Sequence, residues 1–345
     1  MSAEAYRQII AAPGQDRLDL FLATANRIGA PVGNVEKDFW VCWTLNALYH
    51  ERAAGEPRLL FKGGTSLSKG YGLIQRFSED IDVTVFRDDL EEPASVEELE
   101  ALSNKKRRAK LDAIRNACRA YITGPMREFL ANRLADVTNG AGRVEVDEAD
   151  PDGQTLLLWY PEIEPRDGAY VRPAIRLESG AKSALDPNGP LTITPYVAED
   201  AAGIDLAVPD VTTIEATRTF WDKVVIAHGL RRWYERRGEL RQEGQRVSRH
   251  YYDLHCLLQS EAGKAALSDL GLGADCVRHA RMFFDRPDYD LASAVPGSFA
   301  ITPTAKMVDA LARDYENTRA MIFGAPPSFD DILKSARQIE DALNN

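Results

Sequence analysis

FKGGTSLSKGYGLIQRFSEDIDVTVF, residues 61–86, is the stretch from which the fold of this chain can be read. The run from Arg58 to Lys62 is apolar enough for a short strand, and Gly63 and Gly64 turn it. A helix is expected from about Thr65 to Gln75. From Glu79 to Phe86 polar and apolar residues alternate, which predicts a second strand. Strand, glycine turn, helix, strand is an α+β order.

On a strand, residues two apart face the same side, so Asp80 and Asp82 project together while Ile81, Val83 and Val85 pack inward. A helix that starts after Gly63 and Gly64 points free backbone N–H groups at a phosphate, and glycines let the anion approach without a Cβ clash. Thr65 and Ser66 add hydroxyl donors. Lys62, Lys69 and Arg76 flank the turn with positive charge, although Arg76 suits an ion pair with Glu79 at the strand start equally well. Two carboxylates beside a phosphate cradle fit Mg²⁺, which takes carboxylate oxygens together with substrate phosphates. Two ions held by Asp80 and Asp82 suit attack on the α-phosphate of a nucleoside triphosphate (NTP). A lone DxD or a lone glycine pair is common on protein surfaces. Their order and close spacing give the combination its meaning.

The 345 residues, 44% of them hydrophobic, are enough for one large mixed domain or two ordinary ones. Residues 1–50 read as helices, with Phe39, Trp40, Trp43, Leu45, Leu48 and Tyr49 at near-helical spacing as a core stripe. Residues 96–134 read as one or two solvated helices, and KKRRAK at 105–110 as an exposed face. Alternation returns between about 143 and 197, in RVEVD, QTLLLWY, AYVRPAIRLE and LTITPYV, as further strands of the same sheet. After Val211 the chain reads as helical, near 214–240, 248–260, 273–285, 303–323 and 328–343, with a boundary near 205–212. Cys42, Cys118, Cys256 and Cys276 stand singly, without metal-site spacing. The N-terminal MSAEAYRQII has no apolar leader and no run reaches the ~20 residues of a membrane span, so a cytoplasmic protein is expected. A net charge of −11 argues against nonspecific coating of nucleic acid. The basic tract RRWYERRGELRQEGQRVSRH at 231–250, with Trp233 and Tyr234 among its arginines, suits either an RNA contact or a solvated helix carrying Glu235, Glu239 and Glu243.

Four passages, EKDFWV at 36–41, KGGTSLSKGYGLIQRFSEDIDV at 62–83, TFWDKVVIAHG at 219–229 and SRHYYDLHCL at 248–257, resemble the AbiEii/AbiGii-type nucleotidyltransferase toxins. These are MenT-like, type IV members of the polymerase-β-like nucleotidyltransferase superfamily. The resemblance implies nucleotide-phosphate contacts at Gly64, Thr65 and Ser66, metal binding at Asp80 and Asp82, and further functional positions at Lys223 and Asp253. Lys223 would neutralise triphosphate charge. Asp253 would hold that lysine, a metal or the acceptor hydroxyl, or else pair with Arg249. A third carboxylate, a base for the acceptor hydroxyl, is implied as well. Glu178 at the end of AIRLE is the candidate, with Glu145 and Asp147 as competitors and a pairing with Arg176 as its structural alternative.

The fold expected is α+β. A polymerase-β-like mixed sheet with flanking helices fills residues 36–210, after an N-terminal helical extension, 1–35. A C-terminal helical bundle, 211–345, closes a two-lobed cleft over the NTP. The reaction implied is Mg²⁺-dependent transfer of a nucleoside monophosphate to an acceptor with release of pyrophosphate. The acceptor is RNA, foremost the 3′ end of tRNA, so that translation and growth stop. A protein or small-molecule acceptor such as an antibiotic, or a scaffold without turnover, are the alternatives. A cognate antitoxin encoded nearby, needing no stable complex, and a part in phage defence complete the implication.

Overall fold

The computed structural model describes residues 2–78, 80–163, 173–241, 246–319 and 321–345. Glu79, residues 169–172 of AYVRPAIRLE and residues 242–245 of the basic tract, Glu243 among them, lie outside these. In chain order the elements are α1 (Ser2–Ala11), α2 (Gly14–Ile28), α3 (Val32–His50), β1 (Leu59–Lys62), α4 (Gly63–Thr65) running into a π-helical turn (Ser66–Gly70), and β2 (Asp80–Val85). Next come α5 (Val96–Ala101), α6 (Asn104–Tyr121), α7 (Arg127–Thr138), β3 (Arg143–Val146), β4 (Thr155–Trp159), β5 (Ala174–Gly180), β6 (Asn188–Ile193) and β7 (Val208–Ile214). The chain ends with α8 (Ala216–Arg237), α9 (Ser248–Gln259), α10 (Glu261–Ser268), α11 (Leu270–Phe283), α12 (Ala305–Arg319) and α13 (Phe329–Asn344).

These elements fall into two compact units. Residues 1–70, 77–94 and 104–214 form the first, which holds the named strands, and residues 71–76, 95–103 and 215–345 form the second, which is helical. The fold is α+β. In the first unit the strands make one mixed sheet in the order β3-β4-β5-β2-β1-β7-β6. The pairs β2/β5 and β1/β7 run parallel and the others antiparallel. Among the described residues no helix is long and apolar enough to cross a membrane.

Two features differ from the reading of the sequence. The helix expected over 65–75 stops at Gly70, because Gly70 and Gly72, the latter at φ +64, interrupt it. Residues 208–214, read as a boundary and the start of helix, form β7 instead. Its register with β6 slips between Leu191 and Ile193, and Asp210 sits at φ +51, so no clean alternation marks it.

The stripe read in α3 is core on every side, since fourteen of its nineteen residues are buried. Phe39 packs against Tyr6 and Phe21, and Trp40 stacks on Tyr160 at 5.4 Å. At the start of β2 the alternation holds, with Ile81 and Val83 fully buried and Asp80 and Asp82 half-exposed, whereas Thr84 is buried along with Val85. Ile81→Ala removes core volume from the strand that carries both carboxylates. It should lower unfolding free energy by about 2–5 kcal/mol, read by denaturant titration, with the far-UV circular dichroism of the folded state unchanged.

Candidate active site

Residues paired across neighbouring strands point the same way, so the sheet register shows what shares a face. Lys62 pairs with Asp82 across β1 and β2, Asp82 with Glu178 and Asp80 with Arg176 across β2 and β5. Lys62, Asp80, Asp82, Arg176 and Glu178 therefore lie on one side. Phe61, Ile81, Val83 and Leu177 take the other, where all four are buried. Lys62 Nζ stands 4.0 Å from Asp82 Oδ1. Arg176 reaches Asp147 Oδ2 at 3.1 Å with Nε and pairs with Glu178 through Nη1. Burial works against the charge on Arg176, but Glu178, Asp147 and Asp80 outweigh it and hold the guanidinium above its ordinary range. Of the three candidates for a third carboxylate, Glu178 is beside Asp82. Asp147 is held by Arg176, and Glu145 faces Leu157 on β4 and pairs with Arg143.

The glycine turn is pressed onto this face. Gly63 has φ +80, and a Cβ there would overlap Asp82 Oδ2 and lie 2.7 Å from its Cγ. Only glycine meets both demands. The Thr65 hydroxyl is hydrogen-bonded to Ser78 Oγ at 2.7 Å and to the carbonyl oxygen of Asp80, and Ser66 Oγ donates to the Gly63 carbonyl at 2.9 Å. Both side chains are buried, so their hydroxyls brace the turn from within. Lys69 is buried too, paired with Asp38 at 2.8 Å.

The donor set fits a hard divalent cation. Among the described residues no three His, Cys, Asp or Glu side chains gather into a complete metal cage. Two carboxylates on a partly open face, with phosphate oxygens and water completing the shell, is how Mg²⁺ is usually held.

The second unit carries the other named positions. Arg76 grips Asp253 with both arms, Nε to Oδ1 at 2.8 Å and Nη2 to Oδ2 at 3.0 Å, and Lys223 Nζ lies 2.7 Å from Asp253 Oδ2. All three are buried. Arg76, Lys223 and Asp253 thus form one group, with Lys223 and Arg76, and not Arg249, as the paired cations of Asp253. Burial alone would raise the Asp253 carboxyl, yet Arg76 and then Lys223 hold it far below the ordinary carboxylate range. Two cations share this one carboxylate. Burial and the neighbouring Arg76 accordingly push Lys223 below the ordinary lysine range. His250 is buried nearby and kept neutral by burial and by Lys223 and Arg249. Neither of its ring nitrogens has a hydrogen-bond partner among the described residues.

The basic tract is largely engaged within its own unit. Arg231 and Arg232 pair with Glu235, Arg237 with Asp288, Arg236 with Asp290, and Arg241 with the Tyr289 hydroxyl. One participant escaped the sequence reading: Asp38, the partner of Lys69. The available signal was EKD, three charged residues at the head of an otherwise apolar helix stripe. Arg176, read as the structural alternative partner of Glu178, does pair with it and holds Asp147 as well.

A sequence profile of the family described as nucleotidyl transferase AbiEii toxin, type IV TA system, matches residues 46–335. The chain belongs to this family. It is a nucleotidyltransferase enzyme of the toxin kind, and membership brings a nucleotide substrate and an antitoxin partner with it. The Gly63–Ser66 turn, Asp80, Asp82, Glu178, Lys223 and Asp253 all lie within the matched residues, whereas Asp38 precedes them. A solved structure, the nucleotidyltransferase toxin MenT4 from Mycobacterium tuberculosis H37Rv, is similar at 17% identity and a TM-score of 0.43. The match covers 94% of this chain and 97% of that one. No curated protein sequence gives a significant match.

Asp253→Asn would leave two buried cations facing a neutral amide, and it should cost about 3–5 kcal/mol of stability. The contribution of a carboxylate with a depressed pKa is complete above the unfolded-state value near 4 and is lost as the pH falls below it. Thermal melts from pH 7 down to pH 3 should therefore show an acid limb in the wild type that is flatter in Asp253→Asn. Gly63→Ala should bring at least a tenfold loss of nucleotidyl transfer, measured as pyrophosphate release, because the turn must move away from Asp82.

Proposed function

We propose that this enzyme transfers a nucleoside monophosphate from an NTP to the 3′ end of tRNA in a Mg²⁺-dependent reaction, releasing pyrophosphate and so blocking translation and growth. The observation that carries this reading is the single sheet face on which Asp80, Asp82 and Glu178 stand together with the Gly63 turn against Asp82. Asp80 and Asp82 would hold the metal, two ions in the full reading. Bound there, it supplies positive charge against the triphosphate and polarises the α-phosphate.

The chain's own groups do the rest. Backbone N–H groups of the Gly63–Ser66 turn hold phosphate oxygens, and Lys62 adds positive charge beside Asp82. Glu178, kept in place by Arg176, takes the proton of the acceptor hydroxyl. The hydroxyl oxygen bonds to the α-phosphorus as the bond from that phosphorus to the bridging oxygen of the β-phosphate breaks. Pyrophosphate carries the electron pair away.

The tRNA end is the acceptor that suits a growth-arresting toxin, because it offers an unpaired terminus whose hydroxyl must stay free for aminoacylation. The antitoxin would act without forming an obligatory stable complex, in a system serving phage defence.

Purified protein incubated with Mg²⁺, each α-³²P-labelled NTP in turn and total tRNA should label the tRNA with at least one NTP. EDTA should abolish the label and added Mg²⁺ restore it. Asp80→Ala and Asp82→Ala should each lower labelling by at least a hundredfold, and Glu178→Gln by about ten- to a hundredfold. Label appearing only on protein or on a small molecule would refute the tRNA acceptor, while leaving the transfer chemistry in place.

A further inference from the structure

A lysine on a solvated turn usually lays its stem along the surface and keeps its ammonium in water. Lys69 does the opposite. Its side chain is 5% exposed, its Nζ lies 2.8 Å and 3.1 Å from the two carboxylate oxygens of Asp38, and it sits 3.6 Å from the centre of the Tyr196 ring. Asp38, on the buried helix α3, is 4% exposed and also accepts a hydrogen bond at 2.7 Å from the Tyr196 backbone N–H. Burial works against the charge on both groups and raises the Asp38 carboxyl, yet Asp38 holds Lys69 above the ordinary lysine range.

An ion pair of this kind is a poor way to gain stability, since two apolar side chains of similar volume often do as well or better. What it provides is direction. The Ser66–Gly70 turn continues straight from the glycine pair, and its other fixed points are close by. Thr65 is bonded to the Asp80 carbonyl, and Gly70 leaves only 2.9 Å between a would-be Cβ and Leu191. Lys69 and Asp38 fasten the far end of the turn to α3, as Thr65 fastens its near end to the carboxylate strand.

We infer that the buried Asp38–Lys69 pair, seated against Tyr196, is the positioning element that sets the Gly63–Ser66 turn at the height over Asp80 and Asp82 which an NTP's phosphates require. Neither residue touches the nucleotide. The inference rests on the reading of Gly63–Ser66 as the phosphate turn and on no particular acceptor. It also assigns EKDFWV a task in nucleotide binding, through the position of a loop that α3 does not itself contain.

A double-mutant cycle tests it. The dissociation constant of a Mg²⁺-complexed non-hydrolysable NTP analogue is measured calorimetrically for the wild type, Asp38→Leu, Lys69→Met, the double variant and Gly63→Ala, each also melted thermally. The single variants should melt lower, each leaving a buried charge unpaired, and the apolar double variant should recover most of that loss. Nucleotide binding should weaken at least tenfold in both singles and stay equally weak in the double. A double variant that regains affinity along with stability would reduce the pair to a structural role and overturn the inference. So would weakening in Lys69→Met alone, which would make the lysine a direct phosphate ligand. If Gly63→Ala binds the analogue like the wild type, the phosphate-turn reading itself fails and the positioning role falls with it.

Discussion

The approach of the Gly63 backbone to the Asp82 carboxylate is the constraint on which the site is built. A backbone this close to a carboxylate admits no Cβ, and the required φ of +80 admits no ordinary L-residue without strain. Everything local follows from holding that contact. Thr65 and Ser66 spend their hydroxyls on the carbonyls of Asp80 and Gly63, and Ile81 and Val83 anchor the strand from behind. The glycine turn and the carboxylate strand thereby become a single rigid object, which is what the phosphate and metal roles proposed for them would require.

Among the described residues each unit has a carboxylate buried together with its paired cations. In the first it is Asp38 with Lys69, and in the second Arg76 and Lys223 with Asp253. Desolvation makes both costly, and each offsets that cost only by fixing geometry closely. The two groups differ in make-up. The first sets one cation against one carboxylate and suits a strut. The second sets two cations, Arg76 and Lys223, around the single carboxylate of Asp253.

The chemistry-bearing strand and turn could be read from the sequence because both obey short-range rules. Period two places Asp80 and Asp82 on one side, and a glycine pair after an apolar run marks a close backbone approach. What escaped was decided over long distances or by irregularity. β7 hides behind Pro209 and the positive φ of Asp210, and the helix expected past Gly70 fails because two glycines outweigh its apolar residues. The orientation of Lys69 could not be foreseen, since a lysine beside a phosphate turn reads as a ligand until its partner thirty-one residues upstream is known. The same holds for Arg76, whose partner Asp253 lies 177 residues away.

The basic tract at 231–250 shows why charge along a sequence is a poor guide to charge on a surface. Its described arginines mostly find glutamate, aspartate, carbonyl or tyrosine oxygen within the same unit, so their donors are largely engaged before any ligand approaches. With a net charge of −11, the chain as a whole does not attract polyanions over long range. The RNA acceptor proposed above would be recognised by contacts made at close range. An acceptor selected by the position of its terminal hydroxyl would bind weakly and be modified efficiently, which is the regime in which binding energy acts in the transition state and not before it.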